Sequence, residues 1–265
     1  MNAELLKRGL GAQLRSSLIW GISMVALTAS VVALWPSLSR SGSLDSMVAG
    51  LPPDLVSALG LTDFGSPAGF LNGNLYAVFL PLLFTVLGTV QMNALTAGDE
   101  DAGRLELLLA LPVARPVVYL SRYAGVALVL GVLAAATGAT VGITAPVFDL
   151  DIGAAGIAAV SLSMFWLGLF QASLVLALAG LGLRAPTVST VAFSVLAAAY
   201  AVYALLPLAG SAADLARWSP WHWALGSQPL TQGFDVRGSA LLAASCALLT
   251  AVGLLTIRRR TIRTA

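Results

Sequence analysis

The chain has 265 residues, of which 58% are hydrophobic and only 10% charged, and its mean hydropathy is +0.90. A soluble domain carries about a quarter charged residues, so a water-soluble globule is excluded. The net charge of +2 does not imply nucleic-acid binding, and Lys7 is the only lysine, so no GxxxxGK[ST] phosphate loop for ATP exists in this sequence.

The first element in chain order is an amphipathic helix. Leu6, Leu10 and Leu14 recur every four residues, with Lys7, Arg8 and Arg15 at other positions, the pattern of a helix lying on the inner leaflet with basic residues among headgroups. An apolar run follows. No small-x-small cleavage site closes it before Trp35-Pro36, so it reads as a retained span rather than a secretory signal. Six charge-free runs are long enough to span a bilayer, at 16–39, 64–98, 123–148, 152–183, 185–213 and 238–257, since about 20 apolar residues suffice. The predicted spans are 17–35, 75–97, 123–148, 155–181, 187–208 and 238–257, one membrane domain covering 1–265. With the N-terminus inside, 11 of the 14 basic residues are cytoplasmic, and Arg40, Arg217 and Arg237 are the external three. The positive-inside rule therefore predicts cytoplasmic termini.

Within the spans there is no Lys, Arg, Asp, Glu or His, which argues against proton-coupled pumps and voltage sensors, since these carry an ionisable group at membrane depth. Gln91, Asn93 and Gln171 are the most polar side chains there. They are candidate pathway residues, or helix-to-helix hydrogen bonds. Gly138-x-x-x-Gly142 and Gly180-Leu-Gly182 offer close backbone approach.

The segment between the second and third spans is the most informative. Asp99, Glu100 and Asp101 suit a helix start, where free N–H groups favour anions. Leu105, Leu108 and Leu109 form a stripe with Ala102, Pro112 stops the helix and Arg115 follows. Periodicity alone leaves an interfacial helix open. The letters from Glu100 to Arg115, EDAGRLELLLALPVAR, resemble the first cytoplasmic loop of type-2 ATP-binding-cassette (ABC) transporter permeases: acidic residues, Gly, Thr, Leu-Glu, a Leu-rich stretch, then Pro-Val-Ser-Arg. Arg104 stands at the usual Thr and Ala114 at the usual Ser.

The resemblance implies an all-α polytopic membrane protein with six transmembrane helices, both termini cytoplasmic, an N-terminal elbow helix and a cytoplasmic coupling helix. That helix would dock on a separate ATPase subunit, through Asp99, Glu100, Asp101, Gly103, Arg104, Leu105, Glu106, Leu108, Leu109, Pro112 and Arg115. ATP and Mg would be bound by the ATPase, two copies per complex, with no cofactor in this chain. A second permease copy or a homologous permease would pair through the first and fifth spans. The implied role is the permease subunit of a bacterial inner-membrane exporter, half of the pathway for a hydrophobic or amphipathic drug, antibiotic or lipid. An ATP-independent channel or carrier for a neutral solute is the alternative. A membrane enzyme fares worst, lacking GxSxG, a histidine in a span and paired acids at depth.

Between the fifth and sixth spans, residues 218–234 carry no Asp, Glu, Lys or Arg and hold two prolines and three tryptophans, suited to a re-entrant or interfacial helix pair. Trp218, Pro220, Trp221, His222 and Trp223 resemble the external gate of the same family, or an aromatic belt. His222 lacks the neighbours of a metal site. Cys246 has no cysteine to pair with.

Overall fold

The computed structural model describes residues 3–41, 50, 52, 65–104 and 114–259, with side chains at 14–39, 50, 52, 65–104, 114–207 and 214–259. The described residues form helices and no strand. These are α1 (Ala3–Ser41), α2 (Pro67–Leu71), α3 (Phe79–Leu95), α4 (Ala97–Asp101), α5 (Arg115–Thr144), α6 (Ala154–Gly180), α7 (Ala185–Leu205), α8 (Pro220–Leu225), α9 (Pro229–Gln232) and α10 (Val236–Arg259). A π-helical turn at Asn72–Tyr76 follows α2, and 3-10 turns at Pro146–Phe148 and Leu206–Trp218 follow α5 and α7.

Among the described residues six stretches are long and apolar enough to cross a membrane: Leu14–Ser39, Pro67–Asp101, Arg115–Phe148, Ala154–Gly180, Ala185–Leu205 and Val236–Arg259. They contain the predicted spans to within a few residues, and two differences carry information. The second begins at Pro67 rather than 75, because the Ser66 hydroxyl accepts from Gly69 N at 3.0 Å and Pro67 supplies a preset first helical residue. The wide turn is then closed by the Ala77 N–H on Asn72 O at 2.7 Å. At the N-terminus, α1 is one helix from Ala3 to Ser41, so the expected elbow is not a separate element; it continues into the first span.

Helix ends follow local chemistry. Ala114 and Arg184 are extended before Arg115-Pro116 and Ala185-Pro186, where proline sits in the first turn and forfeits no intrahelical bond. Long-range contacts fix alternating directions. Ser17, Gln91, Arg122, Ala185 and Thr256 lie toward one face, here the proximal face. Trp35, Phe70, Ser219 and Leu230 lie toward the distal face.

Helix α6 is the axis of the bundle, packed by α3, α5, α10 and the short α8 and α9. Hydrocarbon surroundings give no hydrophobic drive for helix association, so close packing and small residues carry it. A Cβ on Gly88 of α3 would strike the carbonyl oxygen of Gly168 on α6; here two backbones touch. Of the other expected approaches, Gly138 meets Ser161 and Ile157 and Gly180 meets Gly253, while Gly142 faces open space and Gly182 is a turn residue at φ 85. Hydroxyls in the spans bond back along their own helices, as from Thr89 to Thr85 O at 2.9 Å and Thr137 to Leu133 O at 3.0 Å.

Candidate functional site

The proximal end of the second span is where the sequence reading concentrates. After Leu95 the chain makes the five-residue α4 and stops, because Gly103 takes φ 69, a left-handed conformation glycine adopts without penalty, while its N–H bonds to Glu100 O at 3.0 Å. Asp99, Glu100 and Asp101 therefore occupy a short helix of their own that ends before Arg104. Their carboxylates are also differently placed. Asp99 and Glu100 are buried, whereas Asp101, Arg104 and Arg115 are exposed.

Asp99 is the hub. Its Oδ2 pairs with Arg122 Nη2 at 2.7 Å and its Oδ1 with Arg104 Nε at 2.7 Å. The Arg122 side chain is 8% exposed and the Arg104 side chain 61%, so one cation is held inside the bundle and the other reaches in from its surface. Arg122 Nη1 also donates to Leu95 O, one of the carbonyls left open where α3 ends. Asp101 Oδ2 accepts from Ala185 N at 2.8 Å. Here a carboxylate from another helix caps the positive end of α7, since Arg184 makes no side-chain cap of its own. Asn93 adds bonds to Ala185 O at 3.0 Å and Ser189 Oγ at 2.7 Å. Thus α4 is tied to the starts of both α5 and α7.

Of the docking residues expected from the sequence, Leu105, Glu106, Leu108, Leu109 and Pro112 lie outside the described residues. Arg115 opens α5 at the same face. Arg122, which the sequence reading used only for topology, proves central; the available signal was a cation at the edge of an apolar run whose neighbouring loop is acidic. The three candidate pathway amides each bridge helices. Gln91 donates to Ser17 Oγ at 3.2 Å, Gln171 to Ala192 O at 2.6 Å, and Asn93 as above.

At the distal face, residues 220–232 form the short α8 and α9, the helix pair the composition suited. Ser219 caps α8 through Trp221 N at 3.2 Å and donates to Ala199 O at 2.7 Å. Trp221 is buried with its ring 4.9 Å from that of Tyr200, while Trp218 is 76% exposed. Pro220, His222 and Trp223 are half-buried, and His222 lies 6.4 Å from the Tyr203 ring. Among the described residues no three His, Cys, Asp or Glu side chains converge to hold a metal ion.

Against protein-family models and curated proteins, the chain matches none. The site is therefore read from its own chemistry.

Burial and the adjacent Arg217 lower the His222 pKa below its ordinary 6.5, with Asp235 opposing. The unfolded chain then takes up this proton at higher pH than the folded one, so folding stability falls as pH drops from about 6.5 through the folded value. A His222→Gln variant is expected to lose that component. Between pH 7.5 and 5 in nanodiscs the parent's melting temperature should fall further than the variant's, and parallel curves would refute the linkage.

Proposed function

We propose that this chain is the membrane-spanning permease subunit of an ATP-binding-cassette exporter in a bacterial cytoplasmic membrane, forming half of the pathway for a hydrophobic or amphipathic substrate. A separate ATPase supplies the energy, and the proximal face is cytoplasmic. One observation carries the reading: a short acidic element, directly before the stretch that resembles a coupling helix, is fastened to two different spans. Through Asp99 it holds Arg122 on α5, and through Asp101 it holds the first amide of α7. A push by a partner that reaches α4 would be passed to both spans through these two carboxylates. Transport is then biased only by the difference in docking energy between the two arrangements of the permease.

The spans the chain itself covers least are α1, α7 and α10, at 17%, 22% and 22% of their most apolar windows against 67% for the α3 and α6 spans, and pairing with a second permease through α1 and α7 would cover two of these three.

The test is co-expression with a neighbouring ATP-binding subunit, purification through a tag on this chain, and ATP hydrolysis in nanodiscs. Arg104→Glu, Glu106→Arg and Leu108→Asp together are expected to leave the permease inserted but abolish substrate-stimulated hydrolysis. A thiol at Gln232 should be labelled from outside the cell and one at Ala102 only from inside. Unchanged stimulation would sink the docking assignment, and a triple variant that changes nothing in a chain carrying passive solute flux would favour the channel.

A further inference from the structure

Two of the three basic residues that break the charge bias of the sequence come together at the distal face. Arg217, from the end of the 3-10 turn, and Arg237, from the first turn of α10, line one pocket of about 350 Å³ with His222, Ser227, Asp235 and Leu241. Trp223 Nε1 donates to Arg217 O at 2.8 Å, and a Cβ on Gly238 would strike the Trp223 carbonyl oxygen, so α8 sits directly on the start of α10.

The charge within it is unbalanced. Asp235 is engaged with the backbone, its Oδ1 accepting from Gly238 N at 3.0 Å as the cap of α10. Arg217 has an exposed partner in Asp214 at 3.1 Å, a pair that solvent screens to little effect. Arg237 makes no ion pair among the described residues. Two guanidinium groups and the positive end of a 24-residue helix thus converge on one cavity, donors that match a phosphate oxygen set.

The surroundings are apolar. Phe234 and Val236 are 55% and 69% exposed beside the pocket, and Leu241, which lines it, begins an exposed row on α10 continued by Leu248, Val252 and Leu255. Spacings of seven, four and three residues keep the row on one face of a helix.

We propose that this pocket binds the phosphate of an anionic membrane phospholipid, with Arg217 and Arg237 on the headgroup and the acyl chain lying along the Leu241–Leu255 row. The site is independent of any ATPase and rests only on the helices crossing a membrane.

The experiment uses the full chain in a neutral detergent, with bound lipid counted by native mass spectrometry during titration with phosphatidylglycerol, phosphatidylcholine or inorganic phosphate. Phosphatidylglycerol is expected to give one saturable adduct, phosphatidylcholine a weaker one, and millimolar inorganic phosphate little competition. Replacing both cations, Arg217→Gln with Arg237→Gln, should weaken that adduct by about a hundredfold, roughly tenfold for each charge-assisted contact. Arg237→Lys should recover part of it. Removing equal charge from the proximal face, Arg184→Gln with Arg258→Gln, should leave it intact. Equal loss in the proximal control would reduce the effect to net charge and overturn the site. Full competition by inorganic phosphate would overturn the lipid assignment and leave a free-anion pocket. An unchanged adduct in the Gln pair, with the variant still monodisperse, would overturn both.

Discussion

Asp99→Asn is expected to destabilise the protein by about 3–5 kcal/mol, the cost of leaving one member of a buried ion pair without its partner. Arg122 cannot turn out to water: its side chain is 8% exposed, and Leu95 O is its other recorded acceptor. The converse variant, Arg122→Met, should cost less. It removes the buried charge outright, and Asp99 keeps Arg104, whose side chain is 61% exposed and reaches it at 2.7 Å. The two partners are therefore not equivalent, although they share one bond. The double variant should recover part of the loss, with a coupling of about 1–3 kcal/mol between the sites. Thermal unfolding of the four proteins in nanodiscs measures this directly. If the two single effects simply add, the pair is not an energetic unit and Asp99 cannot act as the hub of the proximal face.

This ion pair also shows where sequence reasoning reaches and where it stops. The spans were legible because crossing hydrocarbon demands a minimum apolar length, which composition records locally. The predicted 155–181 and 238–257 correspond to Ala154–Gly180 and Val236–Arg259. The early start at Pro67 is locally written too, in a capping serine followed by proline at Ser66-Pro67, which lies ahead of the predicted 75–97. By contrast, the direction in which Asp99 and Asp101 point was not local information. Three consecutive acids ahead of a leucine stripe fit a helix start, yet Gly103 ends their helix and their partners, Arg122 and the amide of Ala185, come from other spans. The same holds at the distal face. Arg217 and Arg237 were exceptions to a charge count until α8 and the start of α10 brought them to one cavity.

Polar groups in the spans make a related point. Gln91, Asn93 and Gln171 were ambiguous in the sequence, since an amide in an apolar run can face a pathway or a neighbouring helix. Gln171 is 2% exposed and donates to Ala192 O, so in this arrangement it ties α6 to α7. Any motion that separates these helices must find that amide another acceptor, because an unmade bond in hydrocarbon is costly. Polar ties of this kind therefore favour movement of α6 and α7 as a unit, and the Gln91–Ser17 bond ties α1 to α3 in the same way.

The α3–α6 contact sets the second large effect. Gly88→Leu is expected to prevent the native packing, and Gly88→Ala to cost about 1–3 kcal/mol, the usual range for overpacking a filled site. The reason is the identity of the obstacle. A Cβ at Gly88 meets the Gly168 carbonyl, a backbone atom in the middle of a helix that cannot rotate away. Gly168→Ala should be milder, since two of its three nearest atoms are the methyl ends of Leu130, each 3.0–3.3 Å away, although Phe84 O at 3.0 Å remains. Gly142→Ala provides the opposite control. It lies in helix α5 with nothing within 4 Å of the added carbon, so the helical preference of alanine should stabilise it by about 0.5–1 kcal/mol. Melting temperatures and helix content in nanodiscs should therefore rank Gly142→Ala above the parent, then Gly168→Ala, then Gly88→Ala. If Gly88→Ala behaves like Gly142→Ala, the two spans do not meet at their backbones and α6 is not the axis on which the bundle is built.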